Sequence, residues 1–556
     1  DLPNTFIVRA RDHSGNLGED RVTVQYVPPV TFDIELKGIE ATQAVQCLNR
    51  PDCEGVPLMS GRATLVRAYL RADTPAPVGG VTGELCYWTP GETPGECIHR
   101  VEALHPVTVE NVADPVTDHR GDITRTLNFL LPREATARTG TLHMQITANP
   151  DHVIEESDYE NNDLGPAWIN VVATKRLDVV FIPVAYRGEV AEDDTRFRIA
   201  DYLARVYPIG PVHMWLVEGG EALYLDPISA STAEMFGGSF FSSLLYQLAW
   251  INTWTNDPVD WLRYYGMVPD TILTGPTGGM ARRPGDEAAG TVPARTPEPE
   301  GAVSTDLSLL SPYYFSSRHI AAEELGHNHG RRHSTSCGGA ENPDPGYPKP
   351  EGKMDDWGTD VSSILNCLAI VGPSTVCNQY LYPEDIAHDY MTYCKTPTDA
   401  WTSLFTYRAM MSAVQSVALA PGGGAAARSA ALGEKVEALV GGGVLQEGRA
   451  EILRGFTRIA VPASQIEQQA SGPYTASLLA ADGSVLAERS FGPMELGEVE
   501  PGDTGYFLLL LPWSDGGQAI AITRDGQELA YVGASGAAPT VRLVSPNGGE
   551  RWGASG

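Results

Sequence analysis

"AAEELGHNHGRRHS", Ala321 to Ser334, is the stretch on which the reading of this chain turns. Within the longer run "SSRHIAAEELGHNHG", Ser at the front and Gly at the back mark the two ends of a helix. Residues four apart share a helix face, so Glu323 and His327 project side by side, one turn apart. Glu324 sits about 100° further round, able to reach a water beside that pair without joining it. Gly330 permits the left-handed turn that ends a helix and sends the chain back. His333 then returns toward the pair from outside the helix. One carboxylate and two imidazoles converging, with a position left open, is the layout of a catalytic zinc site.

A second stretch, "HDYMTYC", His388 to Cys394, follows downstream. A third, "TGPTGGMARRPG", precedes the helix. Taken in order with the pattern E-E-x-x-H-x-x-G-x-x-H, they make the region 175–415 resemble a secreted bacterial peptidase of the metzincin superfamily. The resemblance implies a central α/β domain of the zincin type. It implies Glu323, His327 and His333 as metal ligands, Glu324 as general base, and Gly330 as the turn that returns His333. It also implies Met391 as the apolar floor of a Met-turn, and Tyr393 as a switchable ligand or oxyanion donor. The segment before the helix is similar to the upper rim that holds extended substrate by β-pairing, with Gly278, Gly279, Met280 and Ala281 along it.

The departure from that family is at the first ligand, where Glu323 stands in place of His. A carboxylate ligates zinc at about 2.0–2.2 Å, so the exchange is geometrically feasible. It lowers the charge of the site, which weakens both acidification of water and polarisation of a carbonyl. An oxygen ligand also shifts preference toward harder ions such as manganese or iron. His319 shares the Glu323 face, but it lies about 12 Å from His327 along the axis, too far to share an ion. His329 points away from that face and reads as a surface or supporting residue. His388 reads as structural, and Trp401, Phe405 and Tyr407 as core.

The rest of the chain reads as flanking β-modules. At 556 residues it is too long for one core. Residues 1–28 carry two alternating strands around "DHSGNLGED", like the closing hairpin of an immunoglobulin-like repeat. Residues 30–174 are short β-type runs between Gly/Pro clusters, which argues a β-sandwich. Its phrase "DHVIEESDYENNDLGPAWINVV" resembles the last hairpin of adhesion-type bacterial modules. The acidic residues Glu155, Glu156, Asp158 and Glu160 offer oxygens for calcium but lack EF-hand spacing, and read as a solvated turn.

From residue 175 strand and helix patterns alternate: "RLDVVFIPVAY", "DDTRFRIADYLARVYP", "VHMWLVE", "SSLLYQLAWINTW" and "AVSTDLSLL" lead to the site helix. A Gly/Ala linker covers 416–433, a second β-sandwich with D-G turns 434–536, and the start of a further repeat 537–556. The chain opens mid-strand and stops just after a strand, the pattern expected of a piece of a longer tandem protein.

The net charge of −31, from 70 acidic and 39 basic residues, repels phosphate backbones and argues against nucleic acid as a partner. No apolar run is long enough to span a bilayer, which takes roughly 18 residues. Eight cysteines group locally, Cys47 with Cys53 and Cys86 with Cys97. Cys337, Cys367, Cys377 and Cys394 leave three pairings open. Close, even spacing suits disulfides in an exported or cell-surface protein. The expected function is metal-dependent cleavage of protein or glycoprotein. The rival is an inert metzincin-fold adhesin or surface-layer protein, and metal content separates the two.

Overall fold

The structure, a computed structural model, describes residues 4–24, 32–48, 53–173, 176–186, 189–191, 195–210, 212–216, 223–224, 244–245, 247–249, 251, 262–269, 279–283, 287–292, 317–334, 343–396, 398–416, 435–446, 449–463, 466, 471–494 and 505–533. Strand predominates. The chain divides into two compact units that interleave along the sequence. One comprises Asp1–Arg176, Asp201–Pro211 and Gly346–Ser412; the other comprises Leu177–Ala200, Val212–Pro345 and Ala413–Gly556.

In the first unit, Asn4–Arg11 and Leu17–Val24 pair as an antiparallel hairpin. The β-type runs expected between 30 and 174 form strands. Ile34–Thr42, Thr64–Ala72 and Thr126–Leu131 form one sheet. Gly83–Trp88, Gly140–Ala148 and Asp163–Val172 form the heart of a second. Alternate residues of both meet in one core, including Leu36, Leu70, Phe129, Leu85, Met144 and Ile146. This is a β-sandwich.

In the acidic turn of this sandwich Glu155, Asp158 and Glu160 are exposed, as expected, but Glu156 turns inward. Glu156 is 5% exposed. It accepts hydrogen bonds from the Ile34 amide at 3.0 Å and from Asn149 and Asn162 Nδ2, each at 2.7 Å. Three N–H donors fill the carboxylate, which pins the turn to the sandwich edge where a calcium ion would need oxygen partners.

The same unit carries the short elements of 346–412. Leu65 and Ile123 of the sandwich share a core with Val361, Ile364, Cys377 and Leu381. A buried ion cluster crosses the same junction. Arg120 reaches Glu40 at 2.7 Å and Asp356 at 2.8 Å. Burial pushes the Glu40 carboxyl up, but Arg120 and Arg67 outweigh it and hold it below its ordinary range. Trp401 Nε1 donates to the Ala44 carbonyl at 2.8 Å. Residues 346–412 thus complete the sandwich's packing instead of standing apart from it.

In the second unit, a mixed sheet holds the expected strands Leu177–Tyr186 and Val212–Leu216 side by side and parallel. Leu262–Pro269 lies on the other flank of Leu177–Tyr186, also parallel, followed by Glu287–Val292. Gly279–Ala281 closes this order as an antiparallel edge strand, paired to Glu287–Val292. Both faces are covered. Val180, Ile182, Val184, Tyr264 and Val268 pack against helical residues Leu244, Leu245 and Leu248. On the opposite face the helix Ser317–Asn328 packs on the strands Leu262–Pro269, Gly279–Ala281 and Glu287–Val292. A mainly parallel sheet clad on both sides explains its near-continuous apolar strands.

The same unit contains the C-terminal β-sandwich. Sheets of three and four strands between Lys435 and Gly533 enclose Leu445, Tyr474, Phe491, Phe507, Leu509 and Ile522. Both expected D-G turns close hairpins there, with Gly483 at φ 83° and Gly526 at φ 79°. The expected strand at 302–310, the linker up to residue 434 and the segment after residue 533 lie outside the described residues.

Candidate metal centre

The helix Ser317–Asn328 is buried along almost its whole length, so its polar residues must be satisfied inside the protein. It opens on Ser317 and ends in a tight cap. The Gly330 amide donates to the His327 carbonyl at 2.8 Å, and the Arg331 amide donates to the Gly326 carbonyl at 3.0 Å. Gly330 has φ 79°, the left-handed conformation that costs other residues most. The returning chain is then anchored. The Asp344 amide donates to the His333 carbonyl at 2.7 Å, and Arg331 lies 3.8 Å from Asp344.

These caps bring Glu323, His327 and His333 together. Their nearest ligand-type atoms all lie within 4.8 Å of one another. His333 Nε2 stands 3.4 Å from Glu323 Oε1, and the two imidazole rings meet edge-on with centroids 4.8 Å apart. His327 and His333 are fully buried and Glu323 is 4% exposed. His327 Nδ1 lies 2.7 Å from the Arg331 carbonyl. A carbonyl only accepts, so Nδ1 carries the proton and Nε2 keeps its lone pair, the tautomer a metal ligand needs. Buried charges are tolerated where they are paired or coordinate a metal. The donor set, one carboxylate oxygen and two imidazole nitrogens in a closed cluster, fits a divalent transition ion.

Glu324 turns to the sheet. A methyl group added at Gly279 would fall 2.4 Å from Glu324 Oε1 and 2.8 Å from its Cγ. The absence of a side chain at Gly279 therefore lets the edge strand press directly on Glu324, the neighbour of Glu323. Strand alternation sends Gly279 and Ala281 toward the helix. Met280 points the other way, buried in the core cluster with Val180 and Tyr264. Of the expected rim, Gly279 and Ala281 face the site helix, Met280 fills core, and Gly278 lies outside the described residues. Asn328 Nδ2 donates to the Arg282 carbonyl at 2.9 Å and ties the helix end to the strand's exit.

His329 is half-buried at the helix end. Its Nδ1 lies 2.8 Å from the Leu325 carbonyl. Burial and the neighbouring Arg263 push its pKa down to about 3, so it is neutral at ordinary pH.

Met391 and Tyr393 belong to the first unit. Met391 is fully buried, and its amide donates to Asp389 Oδ1 at 2.7 Å. Asp389 Oδ2 accepts from the Ser403 amide at 2.9 Å, so one buried carboxylate fixes the turn. Tyr393 is half-buried in that turn. His388 Nδ1 lies 3.0 Å from Asp399, and Trp401 and Tyr407 are core.

Sequence reading missed Tyr265, on the strand Leu262–Pro269. It is fully buried, and its hydroxyl has no hydrogen-bond partner among the described residues. Burial first, then the charge of Glu324, raises its pKa well above the phenol range. The available signal was register. Tyr265 pairs with Ala288, and Ala288 pairs with Ala281, placing Tyr265 on the face toward the site helix.

Disulfides join Cys47 to Cys53, Cys86 to Cys97 and Cys367 to Cys377, and Cys394 is also disulfide-bonded. No helix among the described residues is long and apolar enough to cross a membrane. No protein-family model matches the chain, and no curated protein matches it at a significant level.

Proposed function

We propose that this protein is an exported, metal-dependent endopeptidase of the metzincin type, flanked by immunoglobulin-like modules. One observation carries the reading. A carboxylate and two imidazoles, with His327 locked in its ligating tautomer, converge in a buried cluster beside a further acid, Glu324. Glu323, His327 and His333 would hold the ion. When bound, a divalent cation supplies Lewis acidity toward a scissile carbonyl and a water molecule. Glu324 accepts the water's proton and returns it to the leaving amine. The edge strand around Gly279 offers backbone groups to an extended peptide by β-pairing.

The mixed sheet clad by helices on both faces supports the zincin reading of this unit. Several local disulfides support export. Zinc is the first expectation for the ion, with manganese or iron favoured in proportion to the oxygen ligand. The test is cleavage of an unfolded protein or glycoprotein. Activity should be lost to a chelator, restored by zinc or manganese, and reduced at least about 100-fold by Glu324→Gln. Cleavage that survives Glu324→Gln contradicts the assignment. A chain that never cleaves, with or without added ions, belongs instead to the class of adhesins built on an inert scaffold.

A further inference from the structure

Tyr265 raises a question that packing does not answer. Its ring meets Phe181 edge-on, with centroids 5.9 Å apart, and is fully buried. A phenylalanine would fill the same volume and make the same ring contact. The hydroxyl adds only a buried polar atom without a partner among the described residues, a feature that costs stability. Such groups persist where they have work to do. The sheet register sends Tyr265 toward the site helix, across the small residues Ala288 and Ala281. Those small side chains keep the sheet surface low between the phenol and the helix. Glu324 lies against Gly279 of the strand that carries Ala281, so carboxylate and phenol face the same stretch of sheet; burial first, then the charge of Glu324, holds the proton on the phenol oxygen. A neutral phenol beside a carboxylate can donate only one way.

We propose that Tyr265 is a positioning residue for Glu324, donating its hydroxyl to the carboxylate as that group turns between the attacking water and the leaving amine. The proton of the phenol stays on its oxygen throughout. Gly279 braces the carboxylate from the edge strand, and Tyr265 steadies it from the sheet's interior. This assignment rests on the peptidase reading of the same site.

The experiment uses the full chain and compares Tyr265→Phe, Glu324→Gln and the double variant. Three quantities are read: zinc content, kcat and KM on an unfolded protein, and the midpoint of thermal unfolding. Tyr265→Phe should keep bound zinc and KM, lower kcat about tenfold, and leave the unfolding midpoint unchanged or raised. The midpoint shifts of the two single variants should not add in the double. Wild-type kcat in Tyr265→Phe, loss of its zinc, or additive midpoint shifts would overturn the assignment. If the wild-type chain binds no zinc and cleaves nothing, the peptidase reading fails. The thermal cycle still decides on its own whether Tyr265 and Glu324 act as a pair.

Discussion

At the scale of single residues, Glu323 is where this site departs from the pattern it otherwise follows. Its oxygen lies 3.4 Å from His333 Nε2, inside the cluster that could hold a cation. A carboxylate there lowers the charge of the centre by one unit and weakens it as a Lewis acid. Glu323→His should therefore preserve or raise kcat on an unfolded protein and bind zinc at least as tightly. A large fall in kcat with zinc retained would give the carboxylate a role of its own. The pairing of Glu323 with His327 was legible from helix spacing, and the return of His333 from the glycine at 330. Tyr265 was not. A tyrosine in an apolar run carries no spacing signal, and its position depends on which strand lies beside it. Glu156 was misread for a related reason. Acidic turns look solvated in sequence, and only the fold shows a carboxylate turned inward onto three N–H donors.

At the scale of elements, the helix Leu404–Ser416 shows how charge is placed to hold a local structure. Asp355 accepts from the Leu404 amide at 2.8 Å and the Phe405 amide at 3.1 Å, capping the helix at its positive end. Burial outweighs those bonds and, with Asp389 nearby, pushes Asp355 up to about 6. A folded-state pKa raised above the unfolded one favours the protonated form. Its stabilisation is fully present below about pH 4 and is lost as pH rises through about 6. The stability difference between wild type and Asp355→Asn should therefore favour wild type more at about pH 4 than at pH 7.5, by up to roughly 3 kcal/mol. Chemical unfolding of both proteins at each pH measures it, and a pH-independent difference would contradict the assignment.

Elements were recovered where pattern was strong. The sandwich strands, the D-G hairpins, the helix Thr195–Val206 and the site helix all follow from periodicity and turn residues. Two central strands did not announce themselves. In Leu262–Pro269 every residue is buried, so no polar alternation marks it. Glu287–Val292, "EAAGTV", is rich in Ala and Gly and weak in β-propensity. Both are strands because of the neighbours they pair with.

At the scale of the whole molecule, the interleaving of the two units is what linear reading could not supply. Residues 346–412 pack into the first unit through Arg120, Asp356 and the Leu65–Ile364 core, over sequence separations that no local pattern encodes. The cluster Glu323, His327 and His333, by contrast, is assembled from one helix and its return loop, and so was visible from the eleven residues 323–333. The account rests on that cluster being a cation site. Elemental analysis of the purified full chain tests it most directly. The prediction is one zinc, manganese or iron ion per chain, removed by a chelator, regained on dialysis against the ion, and absent from a His327→Ala, His333→Ala double variant that still folds. A folded wild-type chain that holds no ion after exposure to excess zinc and manganese, or a double variant that retains it, would contradict the account.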